Sequence, residues 1–316
     1  MSGVFLNLLY AVLGVAGLYY GAEFLVKGGV SIARRAGVSP LVIGLTLVAF
    51  ATSAPELVVS VSAAVDGNAD IALGNVVGSN ICNIALILGL CGCIAPMTVQ
   101  RQLLRFDAWV MVGSAVLLTV FYLAGNGINR IQAGIFLIGM IAYVVWSVMA
   151  SRKETAAQEE EKDEKLLAVW KSLLLIVFAL ALLVGGAKVF LWSAVFFAQK
   201  LGLSHAVIGL TIVAVGTSLP ELATSVVAAI KGEQDIAIGN VVGSNIFNIL
   251  GILGVAPLIS PLKNATLDPV DMGMMLLVSV LLVPMMRTGW KISRKEGAVL
   301  LILYAGYVAY LLCTHT

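Results

Sequence analysis

Polar residues in this chain are sparse, and they cut it into long apolar runs. Ten runs approach or exceed the ~20 apolar residues that a helix needs to cross a hydrocarbon core. They lie at roughly 4–32, 40–65, 70–94, 106–124, 130–150, 167–199, 204–230, 235–259, 270–286 and 296–313. The pattern predicts an all-α polytopic membrane protein with ten transmembrane helices. Between the fifth and sixth runs, residues 151–165 read as a short polar linker centred on Glu159, Glu160 and Glu161. It separates an N-terminal half, 1–150, from a C-terminal half, 166–316.

Two of the runs contain what a span normally avoids. The second carries Ala49-Phe50-Ala51-Thr52-Ser53-Ala54-Pro55-Glu56, and the seventh carries Ala214-Val215-Gly216-Thr217-Ser218-Leu219-Pro220-Glu221. Aligned without a gap at an offset of 165, residues 37–89 and 202–254 agree at 35 of 53 positions, far beyond shared hydrophobic composition. Stranding a carboxylate in hydrocarbon costs at least ~2.5–3.5 kcal/mol, so Glu56 and Glu221 mark a functional site. Pro55 and Pro220 cannot donate to the carbonyls of Ala51 and Gly216, which loosens the turn around them. Irregular backbone at this depth is tolerated only where protein buries it or where it lines a polar cavity. Each copy therefore reads as half of one site.

Charge adds topology. The net charge of +2 says little about partners, and no basic, aromatic patch points to nucleic acid. With the N-terminus outside, the inside loops hold 14 lysines and arginines and the outside loops hold three, Arg130, Lys200 and Lys263; Lys27 and Lys188 lie within spans. The positive-inside rule then places both termini outside a cell (inner) membrane. The first basic residue is Lys27 and no signal-peptide cleavage site precedes it, so the first run reads as a retained span. Five spans per half make the second copy enter the membrane in the opposite sense. Such inverted repeats meet at broken helices near the midplane in secondary transporters, and helices two, three, seven and eight are expected to form the centre.

A second polar motif occurs in both halves, Gly74-Asn75-Val76-Val77-Gly78-Ser79-Asn80-Ile81-Cys82-Asn83 and Gly239-Asn240-Val241-Val242-Gly243-Ser244-Asn245-Ile246-Phe247-Asn248. Ser79 and Asn83 share a helix face, as do Ser244 and Asn248. Pooled, the motifs offer the carboxylates of Glu56 and Glu221, the hydroxyls of Thr52, Ser53, Ser79, Thr217, Ser218 and Ser244, the amide oxygens of Asn83 and Asn248, and freed carbonyls. All are oxygens, the preference of hard cations such as calcium, whereas zinc or copper would call for histidine or cysteine. Two glutamates can neutralise one divalent ion or two monovalent ones, which is a physical basis for exchange. The competing reading of a Glu beside Thr and Ser is a structural hydrogen-bonding element, and its duplication beside proline argues against it. Gly74, Gly78, Gly239 and Gly243 read as packing positions, and Asn75, Asn80, Asn240 and Asn245 as interhelical hydrogen-bonding ones. Cys82, Cys91, Cys93 and Cys313 read as packing residues, and His205 and His315 as neither catalytic nor metal-binding. With no HExxH motif and no pair of catalytic aspartates, an intramembrane hydrolase is disfavoured. The chain is expected to be a non-enzyme without a cofactor.

The motifs ATSAPE (51–56) with GTSLPE (216–221), and GNVVGSNICN (74–83) with GNVVGSNIFN (239–248), resemble the two alpha repeats of the calcium/cation antiporter superfamily, most nearly the prokaryotic sodium/calcium exchangers. The resemblance extends over essentially the whole chain. It implies exchange of sodium for calcium by alternating access, with a proton-coupled cation antiporter as the alternative. It further implies ion-binding roles for Glu56 and Glu221, flanked by Thr52, Ser53, Thr217 and Ser218. The carbonyls of Ala49 and Ala214, with Ser79, Ser244, Asn83 and Asn248, complete the implied cluster. The first and sixth helices, rich in glycine (Gly14, Gly17, Gly21, Gly185, Gly186), would slide across a static core. Glu23 and Lys188 hold equivalent positions in them, near opposite faces, and are expected to snorkel rather than pair. Two departures are Ala51, where the family usually has glycine, and Asn248, where many members carry aspartate. The amide argues against potassium cotransport. The implied partners are calcium and sodium ions and the lipid bilayer, and a monomer is the expectation.

Overall fold

The computed structural model describes residues 2–125, 127–156, 167–202 and 214–315. Its elements are α1 (Ser2–Ala36), α2 (Pro40–Thr52), α3 (Ala54–Val65), α4 (Ala69–Ile94), α5 (Leu103–Gly125), α6 (Arg130–Ala156), α7 (Val169–Lys200), a turn of helix at Ala214–Gly216, α8 (Leu219–Ile230), α9 (Gln234–Ile259), α10 (Pro269–Arg287) and α11 (Arg294–His315). Among the described residues, eight helices are long and apolar enough to cross a membrane, and α2 with α3 forms a ninth span bent by 48°. The seventh predicted span, 204–230, begins outside the described residues and ends in α8. Glu159 to Glu161 and His205 also lie outside them. The fold is the all-α, ten-helix plan of two inverted five-helix repeats.

The 165-residue periodicity survives in three dimensions. α3 and α8, like the first thirteen residues of α4 and α9, begin and end at residues 165 apart. Polar ties at the two ends of the molecule are also paired. Strands β1 (Met97–Thr98) and β2 (Lys291–Ile292) join antiparallel, with Met97 opposite Ile292. Ile128 and Leu262 form the corresponding bridge between the same two loop pairs with the repeats exchanged. Asp70 at the start of α4 accepts from the Thr266 N–H at 2.6 Å, while Asp235 at the start of α9 accepts from the Gln100 amide at 2.6 Å. Tyr143 donates to Asp107 at 3.0 Å and Tyr307 to Asp271 at 2.7 Å, each across 36 residues. The two tyrosine bonds lie within a repeat, whereas the strand pair, the bridge and the two aspartate bonds tie each repeat to the loops of the other.

The centre is α4 and α9, whose most apolar windows are 72% and 83% buried, against 11% for α1. The crossing of α9 over α2 shows why glycine is needed there. A Cβ at Gly239 would lie 2.7 Å from the Leu41 carbonyl oxygen, and one at Gly243 2.6 Å from the Leu45 Cα. These two glycines have the predicted packing role. A Cβ at Gly74 would meet only Leu267 Cδ2, at 3.9 Å, and one at Gly78 nothing within 4 Å among the described residues; the segment equivalent to their expected neighbour, 206–210, lies outside them.

Two local expectations change. Residues 151–156, assigned to the polar linker, continue α6, because Ser151 is buried and its hydroxyl accepts from the Ser39 N–H at 2.7 Å. Glu23, expected to snorkel, accepts an ion pair from Lys231 at 2.5 Å. Lys188 instead lies over the Trp192 ring, 5.4 Å from its centroid.

The α9–α2 crossing makes a testable prediction. Gly243→Val should cost several kcal/mol through overpacking against backbone that cannot repack, seen as loss of monodisperse protein and a lower unfolding temperature. Gly113→Ala, at an exposed site with nothing within 4 Å of the added methyl, should leave both unchanged.

Candidate functional site

Both repeated Thr-Ser-x-Pro-Glu segments break a helix at the same point. α2 ends at Thr52, Ser53 sits at φ −83° and ψ 7°, and α3 restarts with Pro55 in its first turn. In the second repeat Ser218 sits at φ −86° and ψ 8°, ahead of Pro220 and α8. Proline suits this place because a first-turn N–H has no intrahelical partner. The break puts Glu56 and Glu221 in the first turns of α3 and α8, where the helix dipole favours negative charge.

The Ser-x-x-Glu spacing is that of a capping box, yet neither serine caps its own helix. Instead the serines reach across the repeat boundary. Ser53 Oγ donates to Glu221 Oε1 at 2.8 Å, and Ser218 Oγ donates to Glu56 Oε1 at 3.1 Å. The two carboxylates are thus tied to each other's repeat by a reciprocal pair of bonds. Both glutamates and both serines are buried, at 1% exposure or less.

Asparagines brace this centre. Asn240 Nδ2 donates to Ser225 Oγ at 2.9 Å and to the Glu221 carbonyl at 3.4 Å, fixing α9 to α8. Asn75 does the same between α4 and α3, donating to Ser60 Oγ at 2.9 Å and to the Glu56 carbonyl at 3.2 Å. Asn240 Oδ1 also accepts from Thr52 Oγ1 at 3.0 Å, a further bond between repeats. Asn75 and Asn240 are therefore interhelical, as read from the sequence. Asn80 also works between helices, its Oδ1 accepting from Asn248 at 3.5 Å. Asn245 instead donates to Val241 of its own helix at 2.7 Å. Ser60 and Ser225 were missed, although each lies four residues after a glutamate and so shares its face.

The predicted oxygens fall into two groups. Ala49 O already accepts from the Ser53 N–H at 3.0 Å and from Thr52 Oγ1 at 3.3 Å, and Ser79 Oγ meets Ser218 Oγ at 3.5 Å. In contrast, Glu56 Oε2, Glu221 Oε2, Asn83 Oδ1, Asn248 Oδ1, Ser244 Oγ and Thr217 Oγ1 are buried with no hydrogen-bond partner among the described residues. Such atoms are costly unless something electropositive satisfies them. For Ala214 the description covers the backbone alone.

Asn83 and Asn248 stand in π-helical turns, Cys82–Leu88 and Phe247–Ile252, and a third π turn, Gly44–Val48, leads into the Thr52 break. π turns are frequent at functional sites because the extra residue re-aims neighbouring side chains. No residue type announces them, so the four-residue spacing of Ser79 and Asn83 anticipated the shared region and not its wider geometry. Among the described residues, no three His, Cys, Asp or Glu side chains gather at one point. The centre is rich in acceptors and holds two carboxylates amid neutral oxygens.

The sequence pattern of the family described as "Sodium/calcium exchanger protein" matches residues 6–149 and 171–313. The sodium/calcium exchanger MaX1 of Methanosarcina acetivorans is 36% identical over 347 aligned positions, covering 96% of this chain and 98% of that protein. The inner membrane protein YrbG of Escherichia coli is 34% identical, covering 95% and 94%. Among solved structures, the sodium-calcium exchanger NCX_Mj soaked without sodium or calcium superposes with a TM-score of 0.83 at 36% identity, over 98% of this chain and 99% of that one. With both repeats matched and the fold shared end to end, the chain belongs to the sodium/calcium exchanger family.

Proposed function

We propose that this multi-pass membrane protein exchanges sodium for calcium by alternating access, at a single site between the repeats. The observation that carries the reading is that six of the predicted oxygens, on Glu56, Glu221, Asn83, Asn248, Ser244 and Thr217, are buried without a partner among the described residues. A bare calcium ion takes ~6–8 oxygens in flexible geometry, and the serine bonds of Ser53 and Ser218 leave the second oxygen of each carboxylate available to it. Two carboxylates balance one calcium or two sodium ions, so the same cradle serves both cargoes at different times. The names of MaX1 and NCX_Mj as sodium/calcium exchangers support this choice of ions.

Thr52, Ser53, Ser79 and Ser218 complete the proposed cradle, with the backbone carbonyls of Ala49 and Ala214. No organic cofactor is called for, and the transport work needs no covalent chemistry. The loop-charge bias supports a cell (inner) membrane protein with both termini outside. Because both half-sites lie on one chain, a monomer suffices.

The reading is tested by calcium uptake into sodium-loaded proteoliposomes diluted into sodium-free medium, beside potassium-loaded and proton-gradient controls. Uptake should require outward sodium; uptake driven by protons alone would shift the coupling ion to the proton. Glu56→Gln and Glu221→Gln should each abolish exchange, and full activity in either would remove that residue from the centre. Ser53→Ala and Ser218→Ala should each raise half-saturating calcium about tenfold, the loss of one charge-assisted hydrogen bond. A change below twofold in both would show that the reciprocal bonds do not shape the cradle.

A further inference from the structure

The outer pair α1 and α7 is bound mainly to itself. A Cβ at Gly14 would lie 2.7 Å from Phe190 Cβ, and one at Gly17 3.1 Å from the Cα of Gly186. Ser193 Oγ donates to the Asn7 carbonyl at 2.6 Å, and Arg35 Nε to the Leu167 carbonyl at 2.5 Å. The two helices cross antiparallel as one closely packed unit. Their most apolar windows are only 11% and 28% buried.

That unit does not sit symmetrically on the core. α1 packs along α8, whereas the equivalent contact of α7 with α3 is all but missing. The side chains of α3 record the difference. Val58 is 64% exposed, while its counterpart Ala223 is half-buried; Val59 is 36% exposed, while its counterpart Thr224 is fully buried. The face of α3 that α7 would cover lies bare.

Charges follow the same asymmetry. Glu23 of α1 pairs with Lys231, the residue that ends α8. Adding or subtracting the repeat offset of 165 turns this pair into Lys188 of α7 and Asp66, the residue that ends α3. It is the same contact with its charges reversed. In this structure Asp66 is exposed and Lys188 stacks on Trp192, so the second pair is open while the first is closed. Sliding the α1/α7 unit to its pseudo-symmetric seat would cover the bare face of α3, bring Lys188 onto Asp66 and draw Glu23 off Lys231.

We infer that Glu23–Lys231 and Lys188–Asp66 are two latches of opposite polarity that close one at a time as the α1/α7 unit moves between its seats. The inference builds on the exchange reading, since an antiporter has to visit two states of similar free energy. An ion pair broken at one seat and remade at the other leaves little net electrostatic cost between them.

A water-soluble carbodiimide, which joins a carboxylate to an amine in contact with it, tests this on the full chain in liposomes. Mass spectrometry of the digest should find both the Glu23–Lys231 and the Asp66–Lys188 isopeptides, on different molecules. Glu23→Gln should raise the Asp66–Lys188 yield, and Asp66→Asn the Glu23–Lys231 yield, each roughly fivefold, the population shift that a part-exposed ion pair supports. Glu23→Lys combined with Lys231→Glu should restore the unmutated yield of Asp66–Lys188, which guards against a merely misfolded variant. Absence of the Asp66–Lys188 product in every variant, both links in one molecule, or full transport by linked protein would overturn the latches. Alternating links without sodium-dependent calcium flux would overturn the exchange reading and leave the latches standing.

Discussion

Two carboxylates held at the centre of a membrane-embedded bundle are the constraint from which the rest follows. Glu56 and Glu221 are buried in this structure, and the hydroxyls of Ser218 and Ser53 donate to their oxygens. A hydroxyl can share a proton without neutralising charge, so it orients a carboxylate and leaves its appetite for a cation intact. A lysine in the same place would have satisfied the glutamates and closed the site. The helix breaks, the first-turn prolines and the bracing asparagines all keep two carboxyl groups facing each other's repeat with their second oxygens unspent.

Rigidity is distributed to match. The glycines of α9 let its backbone rest directly on that of α2, and Asn75 and Asn240 stitch each central helix to the broken helix beside it. At the periphery α1 and α7 adhere to one another more than to anything else. The molecule is therefore closely packed around the proposed cradle and loosely seated at its periphery.

Much of this was legible in the sequence, because a gapless offset of 165 maps every residue of one half-site onto the other. Glu56 and Glu221 betrayed themselves by violating hydropathy, and the prolines beside them located the breaks. The direction of the serine bonds was not legible: Ser53 and Ser218 lie three residues before a glutamate, a spacing that suggests a local cap, and only tertiary structure shows that each serves the opposite repeat. The π turns around Asn83 and Asn248 carry no side-chain signature at all. Glu23 and Lys188 do not pair with each other, as the inverted repeats imply, but the partner of Glu23 was not legible because the repeat offset relates it only to Lys188. The partner, Lys231, sits at the end of α8.

The reciprocity of Ser53 and Ser218 also bears on biogenesis. Ser218 follows Glu56 by 162 residues, so the first repeat emerges from the ribosome with its central carboxylate lacking the hydroxyl that will later hold it. Asp70 likewise waits for Thr266, 196 residues on. The bonds that hold Glu56 and Asp70 are thus completed only once the second half is present. Assembly of the pair, rather than insertion of either repeat, is the moment at which the centre comes into being.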